Sequence, residues 1–183
     1  MIILLSICCL LIVSCNNEKI TRVKIPKQKI FVAKLESTSP LHWKAASHWQ
    51  QQTTTSEFVK ESYNLISTTN PQQFAAFTIS SFPGDTGGIL ANVNRWRNQL
   101  QLSPINDSQL EPLISHQDIN QFHFDIITIT NDQSSNKETI LAAIQNYNNQ
   151  TYFYKLRGPL SIINAEKSNF MTFLNSINNE HTQ

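Results

Sequence analysis

Phe82-Pro83-Gly84-Asp85-Thr86-Gly87-Gly88-Ile89-Leu90-Ala91-Asn92-Val93-Asn94-Arg95-Trp96-Arg97-Asn98-Gln99-Leu100 joins a strand to a helix and decides the class of fold. Three of the four glycines in the chain lie here. Pro83-Gly84 turns the chain, and Asp85 is the expected N-cap of the helix. Ile89, Val93, Trp96 and Leu100 fall on one narrow stripe at helical period, which predicts an amphipathic helix laid on a sheet. Asn94, Arg95 and Asn98 face away from the stripe, while Asn92 and Arg97 flank it. Pro104 closes the segment.

Strand patterns lie on either side. Phe58–Ile66 alternates, with Val59, Tyr63 and Leu65 on one face and Lys60, Ser62 and Asn64 on the other. Asn70-Pro71 marks a turn before Phe74–Phe82, a second strand. Beyond the helix, Phe122–Thr130 reads as a strand and Asn131–Asn136 as a polar turn. Thr139–Ile144 and Thr151–Leu156 flank Asn148-Asn149, residues suited to the positive φ of a tight hairpin. Gly158-Pro159 ends that strand. A last helix is expected over residues 160–178, with Ile163, Phe170, Phe173, Leu174 and Ile177 inward. The order is strand-strand-helix-strand-strand-strand-helix. It predicts an α+β fold: a mainly antiparallel β-sheet covered by two amphipathic helices, on one face or on both.

The bounds on the chain agree. Residues 39–179 form the expected single globular domain, a common domain size, with no internal repeat. Leu41-His42-Trp43-Lys44 and His48-Trp49 are expected to pack over the sheet edge. His42 and His48 have no carboxylate nearby in sequence, and their spacing of six matches no helix or strand face, so no metal is expected there. The formal net charge of +1 argues against nucleic acid as a partner.

Two groups of residues carry a family resemblance. Ile140–Ile144, Thr151-Tyr152-Phe153-Tyr154-Lys155-Leu156-Arg157-Gly158-Pro159 and Phe170-Met171-Thr172-Phe173-Leu174-Asn175-Ser176-Ile177 resemble the C-terminal half of exported bacterial domains with a PsbP-like fold. Those uncharacterised proteins carry a Gly-Asp-x-Gly-Gly turn followed by Asn-Val-Asn-Arg-Trp-Arg-x-Gln-Leu, which Gly84 to Leu100 is similar to. The group often has Gly after Gln-Leu, where this chain has Gln101. The resemblance spans roughly residues 41–178. It implies a PsbP-like sandwich, and a binding or assembly role without catalysis, although fold alone does not set function.

The N-terminus bears on location. Leu11-Ile12-Val13-Ser14-Cys15 closes an uncharged apolar run from Met1 and resembles the lipobox of bacterial lipoproteins. About 13 apolar residues are too few for a membrane span, which takes roughly 20, but fit a signal-peptide core. No Lys or Arg precedes the run, where signal peptides usually carry one. A buried strand or a misplaced start codon are the competing readings. Residues 1–14 are expected as a lipoprotein signal peptide and Cys15 as the lipidation site. A thioether-linked diacyl group with a third acyl chain would anchor the protein, each buried methylene contributing about 0.8 kcal/mol. Asn16 after the cysteine leans toward the outer membrane. Cys8 and Cys9 would leave with the signal, so the mature domain would carry no free thiol. Residues 15–38 read as a basic tether: Lys19, Arg22, Lys24, Lys27, Lys29 and Lys34 stand against Glu18 and Glu36, a net +4. The segment is either a contact to anionic head groups or, more simply, a solvated linker. Ile20, Val23, Ile25 and Ile30–Val32 leave room for an edge strand.

The function expected from these features is a lipid-anchored envelope accessory or binding protein without catalytic activity, contacting a protein partner. Asn94, Arg95, Arg97 and Asn98 are the candidate contacts; a solvated helix face reads equally well. A small-ligand domain is the alternative, with Gly84, Asp85, Gly87 and Gly88 lining a cleft against the sheet. That turn lacks the Gly-Lys-Ser/Thr of a Walker loop and the spacing of a dinucleotide fingerprint, and Asp85 would repel an anion. An enzyme is the third reading. His123 and Asp125 share a strand face two residues apart, as a base and its orienter would, yet no nucleophile accompanies them in sequence. No cofactor is expected.

Overall fold

The computed structural model describes residues 41–179. The expected signal peptide, lipidation site Cys15 and expected basic tether lie outside the described residues. The chain forms β1 (Leu41–His42), β2 (Gln50–Gln52), β3 (Val59–Ile66), β4 (Phe74–Pro83) and α1 (Gly88–Gln99). A short α2 (Asp107–Leu110) and a 3₁₀ turn (Glu111–Leu113) follow. Then come β5 (Ile114–Ile119), β6 (Phe122–Thr130), β7 (Glu138–Tyr147), β8 (Gln150–Pro159), α3 (Leu160–Asn175) and β9 (Asn178–Asn179).

Seven strands make one sheet in the order β2-β3-β4-β8-β7-β6-β5. Every ladder in it is antiparallel. The hairpin between β7 and β8 turns at Asn148 and Asn149, with φ of 49° and 56°, the left-handed pair expected there. β1 and β9 form a separate two-residue ladder that ties the end of the domain to its start.

Side-chain alternation gives the sheet two apolar faces, and a helix covers each. α3 buries Ile162, Ile163, Phe170, Phe173 and Leu174 against Phe77, Ile79, Tyr154, Leu156 and Phe124. On the opposite face α1 buries Val93 and Trp96, with Leu100 after it, against Ile127, Ile129, Ile140, Ala142, Ile144 and Phe153. The stripe read from the sequence is therefore the buried face of α1. The connection from β4 to β5 must cross β8, β7 and β6, so α1 lies over those strands. On this face β3 and β4 stay half-open.

Several elements differ from expectation. β5 and β2 are additional strands, because neither shows apolar alternation: four of the six β5 residues and all of β2 are exposed. The last helix stops at Asn175, since residues 178–179 pair with β1. The residue capping α1 is Gly87, at φ 92°, rather than Asp85. Asp85 Oδ1 still accepts the Gly88 amide at 2.9 Å, so it satisfies the first turn from two residues further out. Trp49 does not pack over the edge. It lies in the core, 4.9 Å from the Phe77 ring and 5.9 Å from that of Phe173, and donates to Glu166 Oε2 at 3.0 Å.

Candidate functional site

The polar face of α1 is largely committed to holding its own loop. Asn94 Nδ2 donates to the Ile105 carbonyl at 2.9 Å, and Asn94 Oδ1 accepts the Ile105 amide at 2.8 Å. Arg97 Nε donates to the Ser103 carbonyl at 2.7 Å. Asn92 is buried, donating to Thr86 Oγ1 and the Gly88 carbonyl, and it accepts Arg95 Nη1 at 2.6 Å. Of the four helix-face candidates, Arg95 and Asn98 remain exposed with the fewest structural duties.

The glycine turn is likewise self-satisfied. Gly84 donates to the Asn149 carbonyl at 2.8 Å and accepts Thr151 Oγ1 at 2.7 Å, which pins the turn to the β7–β8 hairpin. Gly84 and Asp85 line a shallow cleft with that hairpin; Gly87 and Gly88 do not. The Gly88 amide is taken by Asp85, so the first turn presents a carboxylate where an anion would sit.

Arg95 instead overlooks the half-open part of the sheet. Between α1 and β3–β4 lies a cleft of about 350 Å³. Phe58, Phe82, Trp96 and Phe153 form its apolar lining, and Arg95 and Lys155 line it as cations. The rings are mutually braced: Phe58 stacks on Phe82 at 4.9 Å, and Trp96 meets Phe153 edge-on at 5.8 Å. Lys155 is half-buried; its Nζ donates to Gln99 Oε1 at 3.3 Å. Burial, aided by the neighbouring Arg157, pulls the Lys155 ammonium below its ordinary pKa. Among the described residues, neither Arg95 nor Lys155 is paired with a carboxylate, whereas Arg157 is, through Glu138 at 3.1 Å. Two unpaired cations over an aromatic floor suit an anionic group on an apolar body.

The histidines separate into two settings. His48 Nε2 lies 3.0 Å from Glu166, a carboxylate 118 residues away in sequence. His123 and Asp125 do share a face, with Nε2 and Oδ1 3.3 Å apart. Two more residues join them from β5: His116 Nδ1 lies 2.7 Å from Asp125 Oδ1, and His123 Nδ1 lies 2.7 Å from Asp118 Oδ1. The Asp118 contact, against slight desolvation and with help from Asp125, raises the His123 pKa above its ordinary value. Sequence reading missed His116 and Asp118 because β5 was missed. A signal exists, however: the His-x-Asp pattern of His116-Gln117-Asp118 recurs seven residues on as His123-Phe124-Asp125, either side of Asn120-Gln121.

One line of residues runs from the aromatic cleft to the His116–His123 cluster. By register, Val59, Ser80, Phe153, Ile144, Asp125 and His116 follow one another across the sheet. The aromatic cleft stands at one end of that line and the histidine cluster at the other, with α1 between.

No protein-family model matches the sequence, and no curated protein matches it. Solved structures that this chain is similar to include a protein from Bacteroides thetaiotaomicron VPI-5482, 13% identical, with a TM-score of 0.47 over 78% of this chain and 46% of that one. The chain thus spans about half the length of that protein. Cyanobacterial PsbP from Synechocystis sp. PCC 6803 is 13% identical, with a TM-score of 0.45 over 76% of this chain and 92% of that one. LpqN, involved in cell envelope biogenesis of Mycobacterium tuberculosis, is 13% identical, with a TM-score of 0.42 over 74% of this chain and 78% of that one.

Proposed function

We propose that this chain is a lipid-anchored, PsbP-like accessory domain of the bacterial envelope that binds without catalysis, and that its binding site is the cleft under Arg95. The observation that carries this reading is the pair of unpaired cations, Arg95 and Lys155, over the rings of Phe58, Phe82, Trp96 and Phe153. Leaving a half-buried ammonium without a counter-ion costs stability. A ligand that supplies the missing charge would offset that cost. The ligand class is a small anion, carboxylate or phosphate, carried on an aromatic or aliphatic body. The lipobox-like Leu11–Cys15 supports the anchor, and among the described residues no helix is long and apolar enough to cross a membrane.

Calorimetric titration of the full chain with indole-3-acetate and with its uncharged amide tests the site. The acid is expected to bind, the amide to bind at least tenfold more weakly, and Arg95→Ala to lose the difference. Equal binding of acid and amide, or acid binding untouched by Arg95→Ala, would sink the proposal.

An envelope protein partner is the second reading. It is favoured by the exposed Phe58 at the rim, 39% accessible, which extends apolar surface beyond the cleft itself. A photo-crosslinking residue at position 58, compared with one at the equally exposed Leu113, separates the two. A single envelope protein captured from position 58 alone, and lost in Arg95→Ala, would favour the partner.

A further inference from the structure

The β5–β6 hairpin carries a second site that neither the cleft nor the anchor uses. We propose that His116, His123 and Asp125 bind a divalent first-row transition-metal ion.

The backbone places the ligands. In the antiparallel ladder His116 pairs with Asp125 and Asp118 with His123, so the two His-x-Asp segments put all four side chains on one face. His116 Nδ1 lies 2.7 Å and His123 Nε2 3.3 Å from the same oxygen, Asp125 Oδ1. One ligand atom from each of the three residues lies within 4.8 Å of the other two. Ion–ligand bonds of about 2.0–2.2 Å put neighbouring ligand atoms roughly 3.3 Å apart in a tetrahedral site. Small side-chain rotations therefore suffice to admit an ion.

The outer partners fit a metal as well. An imidazole that ligates through one nitrogen commonly gives its other N–H to a carboxylate, which fixes its tautomer and orientation. His123 is set up this way: its Nδ1 lies 2.7 Å from Asp118 Oδ1. His116 Nε2 stands 3.8 Å from Glu111 Oε1 on the 3₁₀ turn, beyond hydrogen-bond distance. The imidazoles face each other nearly parallel, ring centres 5.7 Å apart. With both neutral, three carboxylates surround them and the cluster carries −3, which attracts a dication.

Burial is graded in the way such a site needs. Asp125 is 9% accessible and anchored beside the apolar face, while the His116 and His123 side chains are about half exposed, at 50% and 56%. Three protein ligands leave a coordination position open to solvent. Two imidazoles and one carboxylate suit Zn²⁺, Cu²⁺, Ni²⁺ or Fe²⁺ better than Ca²⁺ or Mg²⁺, which prefer oxygen alone.

The test is calorimetric titration with Zn²⁺ of the full chain, stripped of metal by chelation. Cys8, Cys9 and Cys15 are replaced by serine so that no thiol competes. The expected result is one Zn²⁺ per chain, with affinity at least tenfold weaker in His116→Ala and in His123→Ala. Asp118→Asn, a change in a positioning residue, should weaken it about tenfold. X-ray absorption of the bound ion should give a first shell of nitrogen and oxygen containing two imidazoles. Both histidines are exposed, so the metal-free variants should melt with the parent protein. If alanine disturbs folding, the His116→Gln/His123→Gln variant gives the same reading. The absence of a saturable 1:1 site, or an affinity unchanged when both histidines are replaced, would overturn the proposal and leave an ion-pair patch.

Discussion

Trp49 reaches across the α3 side of the core to donate its indole N–H to Glu166 Oε2 at 3.0 Å, joining residues 117 positions apart. Asn169 Nδ2 donates to the same oxygen at 2.9 Å, and His48 Nε2 lies 3.0 and 3.1 Å from the two carboxylate oxygens. Burial alone would raise the Glu166 pKa. The bonds from Trp49, Asn169 and His48 outweigh it and hold the carboxyl below its ordinary value.

A depressed carboxyl pKa stabilises the fold above the unfolded value, near 4.5, and that contribution is lost as pH falls through the folded value. Urea unfolding at a series of pH values should therefore give stability falling below about pH 4.5. Glu166→Gln should flatten that acid limb. Glu166→Leu should cost about 1–3 kcal/mol at pH 7, because it leaves the buried Trp49 N–H without an acceptor. An unchanged acid limb in Glu166→Gln would remove this carboxylate from the account.

Gly158 sits where β8 passes close to β4. A Cβ there would lie 2.7 Å from both Cα and Cβ of Ala75 and 3.1 Å from the Phe74 carbonyl oxygen. Backbone cannot yield as a flexible side chain does. Gly158→Ala is expected to cost about 1–3 kcal/mol in chemical denaturation. Ala75→Gly in the same chain should recover only part, since the Ala75 Cα and the Phe74 carbonyl remain. Full recovery would mean that the Ala75 methyl is the whole obstacle.

How much of this was legible follows from where each signal is stored. The α1 stripe and the Asn148-Asn149 hairpin are local patterns, and the structure has both. β5 was not legible: Ile114 and Ile119 enclose four exposed polar residues, and an edge strand wet on both sides has no alternation to read. His116 and Asp118 went with it, so half of the histidine cluster was hidden. Glu166 and Trp49 show a different failure. Each looks ordinary in its own segment, and only the tertiary fold brings them together. Asn94 and Arg97 looked free on a helical wheel, but a wheel knows nothing of the loop that folds back from Ser103 to Ile105 to accept and donate their bonds.

The proposed lipid anchor makes its own prediction. Intact mass and membrane fractionation of the chain expressed in a bacterial host, beside Cys15→Ala, should give a lipidated species beginning at Cys15. The variant should be released from the membrane. A full-length unlipidated wild type would return Cys8, Cys9 and Cys15 to the mature protein as thiols and end the envelope reading.

If the cleft binds anions, Lys155 sets stability against binding. Its folded pKa is lowered by burial and by Arg157, so the folded chain holds this proton less tightly than the unfolded chain does. The penalty is present at neutral pH and shrinks as pH rises toward the unfolded value of about 10.5. The tyrosines act oppositely at the top of that range. Burial raises Tyr63, with help from its bond to Glu61, and raises Tyr154, so the unfolded chain loses phenolic protons first and stability falls above about pH 10. The Lys155 effect is therefore readable on the alkaline side of neutral, below about pH 10. Lys155→Met should raise stability at pH 7 by about 0.5–1 kcal/mol and flatten the slope in that window. The same change should weaken indole-3-acetate at least tenfold if the cleft binds anions. A variant that is more stable, flatter with pH and poorer at binding would identify Lys155 as a charge kept in the fold for its ligand. A variant that is less stable would mean that the bond from Nζ to Gln99 outweighs the cost of burying the ammonium.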